Sequence, residues 1–230
     1  MKVLVTGCGR GGTNLGIELI RSFRHFSVSE QVEDRSFFSK DKLPPLYATK
    51  LATENTGFTI ENINRTMKQN PDLFVLFMTR HPVDVCLSKI LRGRPGSQGG
   101  DSTTEERAAD GTVLGAANAV KYMTNIYSFL KREYPNRTLA LKMEDLVESP
   151  SDTISIVSNY FDIPIKEQTH NFFKNNRNGY QKARYGNKLV RNVSLYQNLD
   201  ANFEGFFADK KEAVGQLTKA LGEYIHTLGY

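Results

Sequence analysis

Apolar positions along this chain fall into two alternating rhythms. Lys2 to Thr6 is a short run rich in β-branched residues that stops at glycines, and Thr13 to Phe26 then repeats apolar residues at helical spacing. Leu46 to Leu51 reads as a second strand, and Ile60 to Gln69 as a helix ending near Asn70-Pro71. Leu73 to Thr79 (LFVLFMT) is apolar without a break, the pattern of a parallel strand buried on both faces. Pro82 stands at a first helical position, so Pro82 to Leu91 continues as helix. Val113 to Glu133 is a long helix, and Thr138 to Lys142 is a further buried strand. Ser149-Pro150 precedes a helix to about Phe161, and a last helix runs from about Lys210 to Leu228. Strands alternating with helices predict an α/β fold, a three-layer sandwich around a mostly parallel sheet. No internal repeat is visible, and 230 residues suit one domain over 1–230.

Two stretches break the rhythm. Residues 92–112 are rich in glycine and mixed charge with little apolar content, which reads as a flexible loop or lid. Residues 171–192 are polar and basic, with Lys174, Arg177, Lys182, Arg184, Lys188 and Arg191. The net charge of +5 mildly favours anionic ligands, and a phosphorylated small molecule explains it as well as a nucleic acid does. A basic surface kept for solubility explains it equally. No run approaches the eighteen or so apolar residues of a membrane span, and no secretory leader pattern opens the chain. The expectation is a cytoplasmic protein with no membrane partner. Cys8 and Cys86 form neither a disulfide framework nor a metal motif, and no histidine pair has ligand spacing.

The first turn, VTGCGRGGTN, holds the chemistry and supports three readings. A glycine-rich turn at a helix N-terminus directs N–H groups and the helix dipole at an anion. Gly7-x-Gly9-x-x-Gly12 has dinucleotide spacing, which calls for an acidic residue at the end of the second strand. Glu30, Glu33 and Asp34 lie near that point, but HFSVSEQVED is a poor strand. Tyr127 and Lys131 have the Tyr-x-x-x-Lys spacing of short-chain dehydrogenases, a spacing that any i,i+4 helix pair shares. Gly7-x-x-x-x-Gly12 is the frame of a nucleoside triphosphate loop, but Thr13 and Asn14 stand where that loop needs its lysine and magnesium-binding hydroxyl. The cation is instead Arg10, in the middle of the turn.

The third reading starts from Arg10. Thr6, Arg10, Gly12 and Thr13 resemble the 5′-phosphosulfate loop of the sulfotransferases that use 3′-phosphoadenylyl sulfate (PAPS). Further on, TRHPVDVCLSK resembles that family's 3′-phosphate motif, with Arg80 at the end of a central strand and Ser88 eight residues later in the following helix. LALKMEDLVESP resembles the family's Tyr-Glu-Asp-Leu segment, with Met143 in the tyrosine's place. QKARYGNK resembles its late basic loop, where Lys182 and Gly186 fit while Gln181, Ala183 and Asn187 do not. The resemblance implies the sulfotransferase variant of the P-loop-like fold and PAPS as co-substrate. It also implies a donor site of Arg10, Gly11, Gly12, Thr13, Asn14, Arg80, Ser88, Lys182 and Gly186. Sulfuryl transfer of this kind is in-line and requires no metal.

An acceptor hydroxyl needs a general base. Cytosolic members of the family use a histidine in a Lys-Thr-His-Leu strand, and the matching stretch here, YATKLATEN, carries Lys50 at that place. Other branches use a glutamate shortly after the first helix, which makes Glu30 and Glu33 candidates. Glu33 is preferred because the aromatic-rich RSFF follows it. The catalytic set expected is therefore Arg10, Glu33, Glu30 and Lys50. The acceptor, a small molecule or glycan rather than a nucleic acid, is not encoded in any legible motif, and neither is the oligomeric state.

Overall fold

The computed structural model describes residues 1–29, 33–93, 112–174 and 210–230. Among these residues five strands form one sheet: β1 (Lys2–Thr6), β2 (Ser27–Val28), β3 (Tyr47–Lys50), β4 (Leu73–Thr79) and β5 (Thr138–Lys142). Their order is β2-β3-β1-β4-β5, and every pairing is parallel, where the sequence predicts mostly parallel. The helices are α1 (Thr13–Ser22), α2 (Ile60–Gln69), α3 (Pro82–Gly93), α4 (Val113–Glu133), α5 (Met143–Glu148), α6 (Pro150–Phe161) and α7 (Lys210–Thr227).

Residue alternation along the central strands builds the three layers. Leu4 of β1, with Val75 and Phe77 of β4, faces a core made with α2, α3, α4 and α7. Val3 and Val5, with Leu76 and Met78, face the opposite core, made with α1, α5, α6 and Phe172. Each neighbour in a strand thus serves a different face, which is why the LFVLFMT run needs no polar positions.

The bounds of α2, β4, α4 and β5 agree with the apolar pattern. α1 is shorter than its periodicity predicts: it stops at Ser22, with Phe23 as C-cap and Arg24 at φ 51 turning the chain back to the sheet. Within HFSVSEQVED a strand of two residues does form, at the sheet edge, where Ser27 and Val28 pair with Tyr47 and Ala48. Residues 94–111, most of the expected lid, lie outside the described residues, as do Glu30, Lys182 and Gly186.

Candidate active site

Two strand-to-helix junctions meet at the carboxyl edge of the sheet. β1 leads through residues 7–12 into α1, and β4 leads through Arg80 and His81 into α3. The two strands are neighbours, with Thr6 opposite Phe77, so the junctions lie side by side. The chain next extends the sheet through β3 and β2 on one side of β1, then returns to β4 on the other. This is the reversal point of the winding, the crevice in which open α/β sheets hold ligands.

Glycine is required at both ends of the turn. Gly7 has φ 139, and a Cβ there would stand 2.2 Å from the Met78 carbonyl oxygen. Gly12 has φ 94, and a Cβ would meet the Met143 side chain at 3.1 Å. Met143 is therefore a buried prop beneath the turn. Arg10 adopts φ 74, a left-handed conformation that costs a non-glycine residue about 1–2 kcal/mol.

Hydrogen bonds hold that strained turn from three sides. Gly9 donates its N–H to both carboxylate oxygens of Glu54, at 3.0 and 2.9 Å. Gly11 donates its N–H to the Cys8 carbonyl at 2.8 Å. Arg80 Nη1 donates to the Arg10 carbonyl at 3.4 Å. Since Gly11's N–H closes the turn, the backbone donors left for a ligand are fewer than the sequence implies. Among the described residues, no hydrogen bond takes up the N–H groups of Gly12, Thr13 and Asn14. α2 and α4 are capped by Thr59 and Thr112, which accept from Asn62 and Gly115, whereas α1 starts on Gly12 with no side-chain cap. The donors at the start of α1 thus face the crevice, suited to an anion.

Side chains complete the crevice. Arg10 Nε donates to Ser88 Oγ at 3.0 Å, tying the turn to α3. Arg80 and Ser88 are both buried, and Arg80 Nη2 lies 3.8 Å from Asp84 Oδ2, a loose ion pair across one helical turn. The helix-start pairing of Arg80 and Asp84 and the convergence of Arg80 with Ser88 on Arg10 therefore coexist. His81 beside them donates its backbone N–H to Glu144 Oε1 at 2.8 Å. Burial holds the His81 imidazole below its ordinary pKa, assisted by Arg80 and opposed by Asp84 and Glu144.

Lys50 and Glu33, which the sequence nominates separately, are brought together. Lys50 Nζ lies 3.1 Å from Glu33 Oε1 and donates to Asn14 Oδ1 at 2.7 Å, while Asn55 donates to Glu33 Oε2 at 2.8 Å. Asp34 anchors the segment behind Glu33 by accepting from Ser36, Lys40 and Tyr47. These hydrogen bonds outweigh the burial of Asp34, so its carboxyl titrates below its ordinary range.

Sequence reasoning missed Glu54. Besides Gly9, it accepts from Lys89 Nζ at 2.6 Å, Cys8 Sγ at 3.3 Å and Thr53 Oγ1 at 3.2 Å. Burial alone would raise its carboxyl pKa, but Lys89 and these hydrogen bonds hold it below the ordinary value. Cys8 is buried and its thiol is pushed well up by burial and by Glu54, as expected of a small filler. Tyr127 packs its ring 5.2 Å from that of Phe77, and Lys131 is exposed, so this pair is core and surface rather than a dehydrogenase dyad. Among the described residues no group of His, Cys, Asp or Glu could hold a metal ion, and no helix is long and apolar enough to cross a membrane.

Residues 1–215 match the sulfotransferase domain family. The fold is similar to that of the sulfotransferase domain from the curacin biosynthetic pathway, at 13% identity and a TM-score of 0.57 over 94% of this chain and 96% of that one. It is similar also to a mouse sulfotransferase complexed with PAP, at 15% identity and a TM-score of 0.58 over 99% and 87% of the two chains. A third similar fold is the sulfotransferase domain of the Synechococcus PCC 7002 olefin synthase, at 10% identity and a TM-score of 0.57 over 96% and 94%. Among curated proteins, none matches the sequence. With 215 of its 230 residues matched, the chain belongs to the sulfotransferase domain family.

Proposed function

We propose that this sulfotransferase takes its sulfuryl group from PAPS and passes it to a hydroxyl or amine of a small-molecule or glycan acceptor. The observation that carries the reading is the convergence of Arg80 and Ser88 on Arg10, from adjacent strand-to-helix junctions. PAPS has two phosphate sites, and the crevice has two donor groups, one at each strand-to-helix junction. The open N–H groups of Gly12, Thr13 and Asn14 with Arg10 suit the 5′-phosphosulfate, and Arg80 with Ser88 suits the ribose 3′-phosphate. The mouse relative complexed with PAP supports the same donor.

Bound PAPS would supply an activated sulfuryl group whose transfer breaks the bond from sulfur to the 5′-phosphate oxygen and forms one to the acceptor oxygen or nitrogen. The protein's part is to position the groups in line and to neutralise charge on the departing oxygen. Arg10 is fitted to the second task as a fixed cation, since its guanidinium does not give up a proton. Glu33 is the base that receives the acceptor's proton, and Lys50 holds that carboxylate and Asn14 at the start of α1. Met143, buried under Gly12, supports the turn from below.

The test is thermal stabilisation by adenosine 3′,5′-bisphosphate (PAP) beside NAD and ATP. The bisphosphate is expected to raise the melting temperature most, and stabilisation by NAD alone would overturn the reading.

A further inference from the structure

We propose that Glu54 is a positioning residue for Arg10, an inference that rests on the donor reading above. Arg10 can face Ser88 and present its carbonyl to Arg80 only while its backbone stays left-handed at φ 74. A strained non-glycine residue persists only where its surroundings over-determine it. On the residue immediately before it, Glu54 accepts the Gly9 N–H with both carboxylate oxygens, at 3.0 and 2.9 Å. Glu54 is itself fixed by Lys89 Nζ at 2.6 Å, and Lys89 follows Ser88 on α3.

The result is a closed circuit. Glu54, from the segment after β3, grips the turn at Gly9 and grips α3 at Lys89. Arg10, one residue along the turn, grips α3 at Ser88. The two fastenings lie one residue apart on both partners, so loosening the first changes where the Arg10 guanidinium can sit against the second. A Cβ on Gly9 would stand 3.0 Å from Glu54 Oε1 and 3.8 Å from Lys89 Nζ, so the pair lies directly against the turn. With its oxygens engaged by Gly9, Lys89, Cys8 and Thr53, Glu54 holds geometry and is not itself the base.

The experiment is a double-mutant cycle on the affinity for adenosine 3′,5′-bisphosphate, measured by titration calorimetry on wild type, Arg10→Ala, Glu54→Ala and the double variant. Acting through Arg10, Glu54→Ala weakens binding about tenfold, and adding it to Arg10→Ala costs less than about twofold more. Glu54→Gln, which keeps an acceptor for the Gly9 N–H in the same shape, is run in parallel and retains part of the affinity. It carries the same cycle if Glu54→Ala fails to fold. Multiplying losses in the double variant, or wild-type affinity in both Glu54 variants, would overturn the inference. Failure of the wild type to bind the bisphosphate is a different result, which removes the donor reading and this inference with it.

Discussion

Lys50 and Glu33 form a close ion pair, 3.1 Å apart, and Lys50 also donates to Asn14 at the start of α1. On the function proposed above, the carboxylate that Lys50 holds is the base. Lys50 would then orient Glu33 rather than accept the proton itself.

Glu33→Gln keeps the shape of the side chain and removes its basicity. Turnover is expected to fall at least about 10²-fold, within the usual worth of general-base catalysis, with bisphosphate affinity changed less than about threefold. Unchanged turnover, measured by label transfer from PAPS, would remove Glu33 from the mechanism. Lys50→Met should also lower turnover and, through Asn14, weaken donor binding.

Ser88→Ala removes the hydroxyl that accepts from Arg10 Nε. On the proposed function the same hydroxyl donates to the 3′-phosphate, and a hydrogen bond to a charged group is worth about 1.5–3 kcal/mol, so bisphosphate affinity should fall by roughly tenfold or more. The folding midpoint in urea should fall as well, because the hydrogen bond to the Arg10 guanidinium is lost even though the small side chain leaves almost no cavity.

The two obligatory glycines should differ in cost. Gly12→Ala forces a left-handed alanine against the flexible Met143 side chain, and about 1–2 kcal/mol of stability is expected to be lost. Gly7→Ala drives a Cβ to 2.2 Å from the Met78 carbonyl in the central strand, which cannot move aside. Its loss should exceed that of Gly12→Ala in chemical denaturation, and equal losses would contradict this account of the turn.

Acid should destabilise the protein in two windows. His81 is held below its ordinary pKa by burial, so the unfolded chain takes up its proton first. Its contribution is complete above about pH 6.5 and is lost as pH falls through the lower folded value. Asp34 and Glu54 are also depressed, so their stabilisation is present above about pH 4 and is lost only at lower pH. Urea midpoints measured from pH 8 to 3 should fall in both windows. His81→Asn should flatten the upper one only.

Much of this was legible because the signals are local. LFVLFMT has one reading as a buried parallel strand, and its bounds match β4. Arg80 and Ser88 are joined by a helix, so their separation in sequence fixes their separation in space. The edge strand Ser27–Val28 has too few residues to carry a period, and Met143–Glu148 is too short to show a helical stripe. Contacts that depend on the course of a loop were not legible. Glu33 reaches Lys50 only because Asp34 pins the intervening segment, and Glu54 reaches Gly9 only because β3 lies beside β1. The single mark that Glu54 left in the sequence was its place just beyond the YATK strand, which does not distinguish it from a solvated carboxylate.

The 3′-phosphate assignment separates this reading most sharply from its rivals, since adenosine 5′-monophosphate lacks only that group. Calorimetric titration of wild type and Arg80→Ala with adenosine 3′,5′-bisphosphate and with adenosine 5′-monophosphate tests it directly. The wild type should bind the bisphosphate at least about tenfold more tightly, a margin of about 1.4 kcal/mol, and Arg80→Ala should erase the difference. Equal affinity of the wild type for the two nucleotides, or a preference that survives in Arg80→Ala, would contradict it.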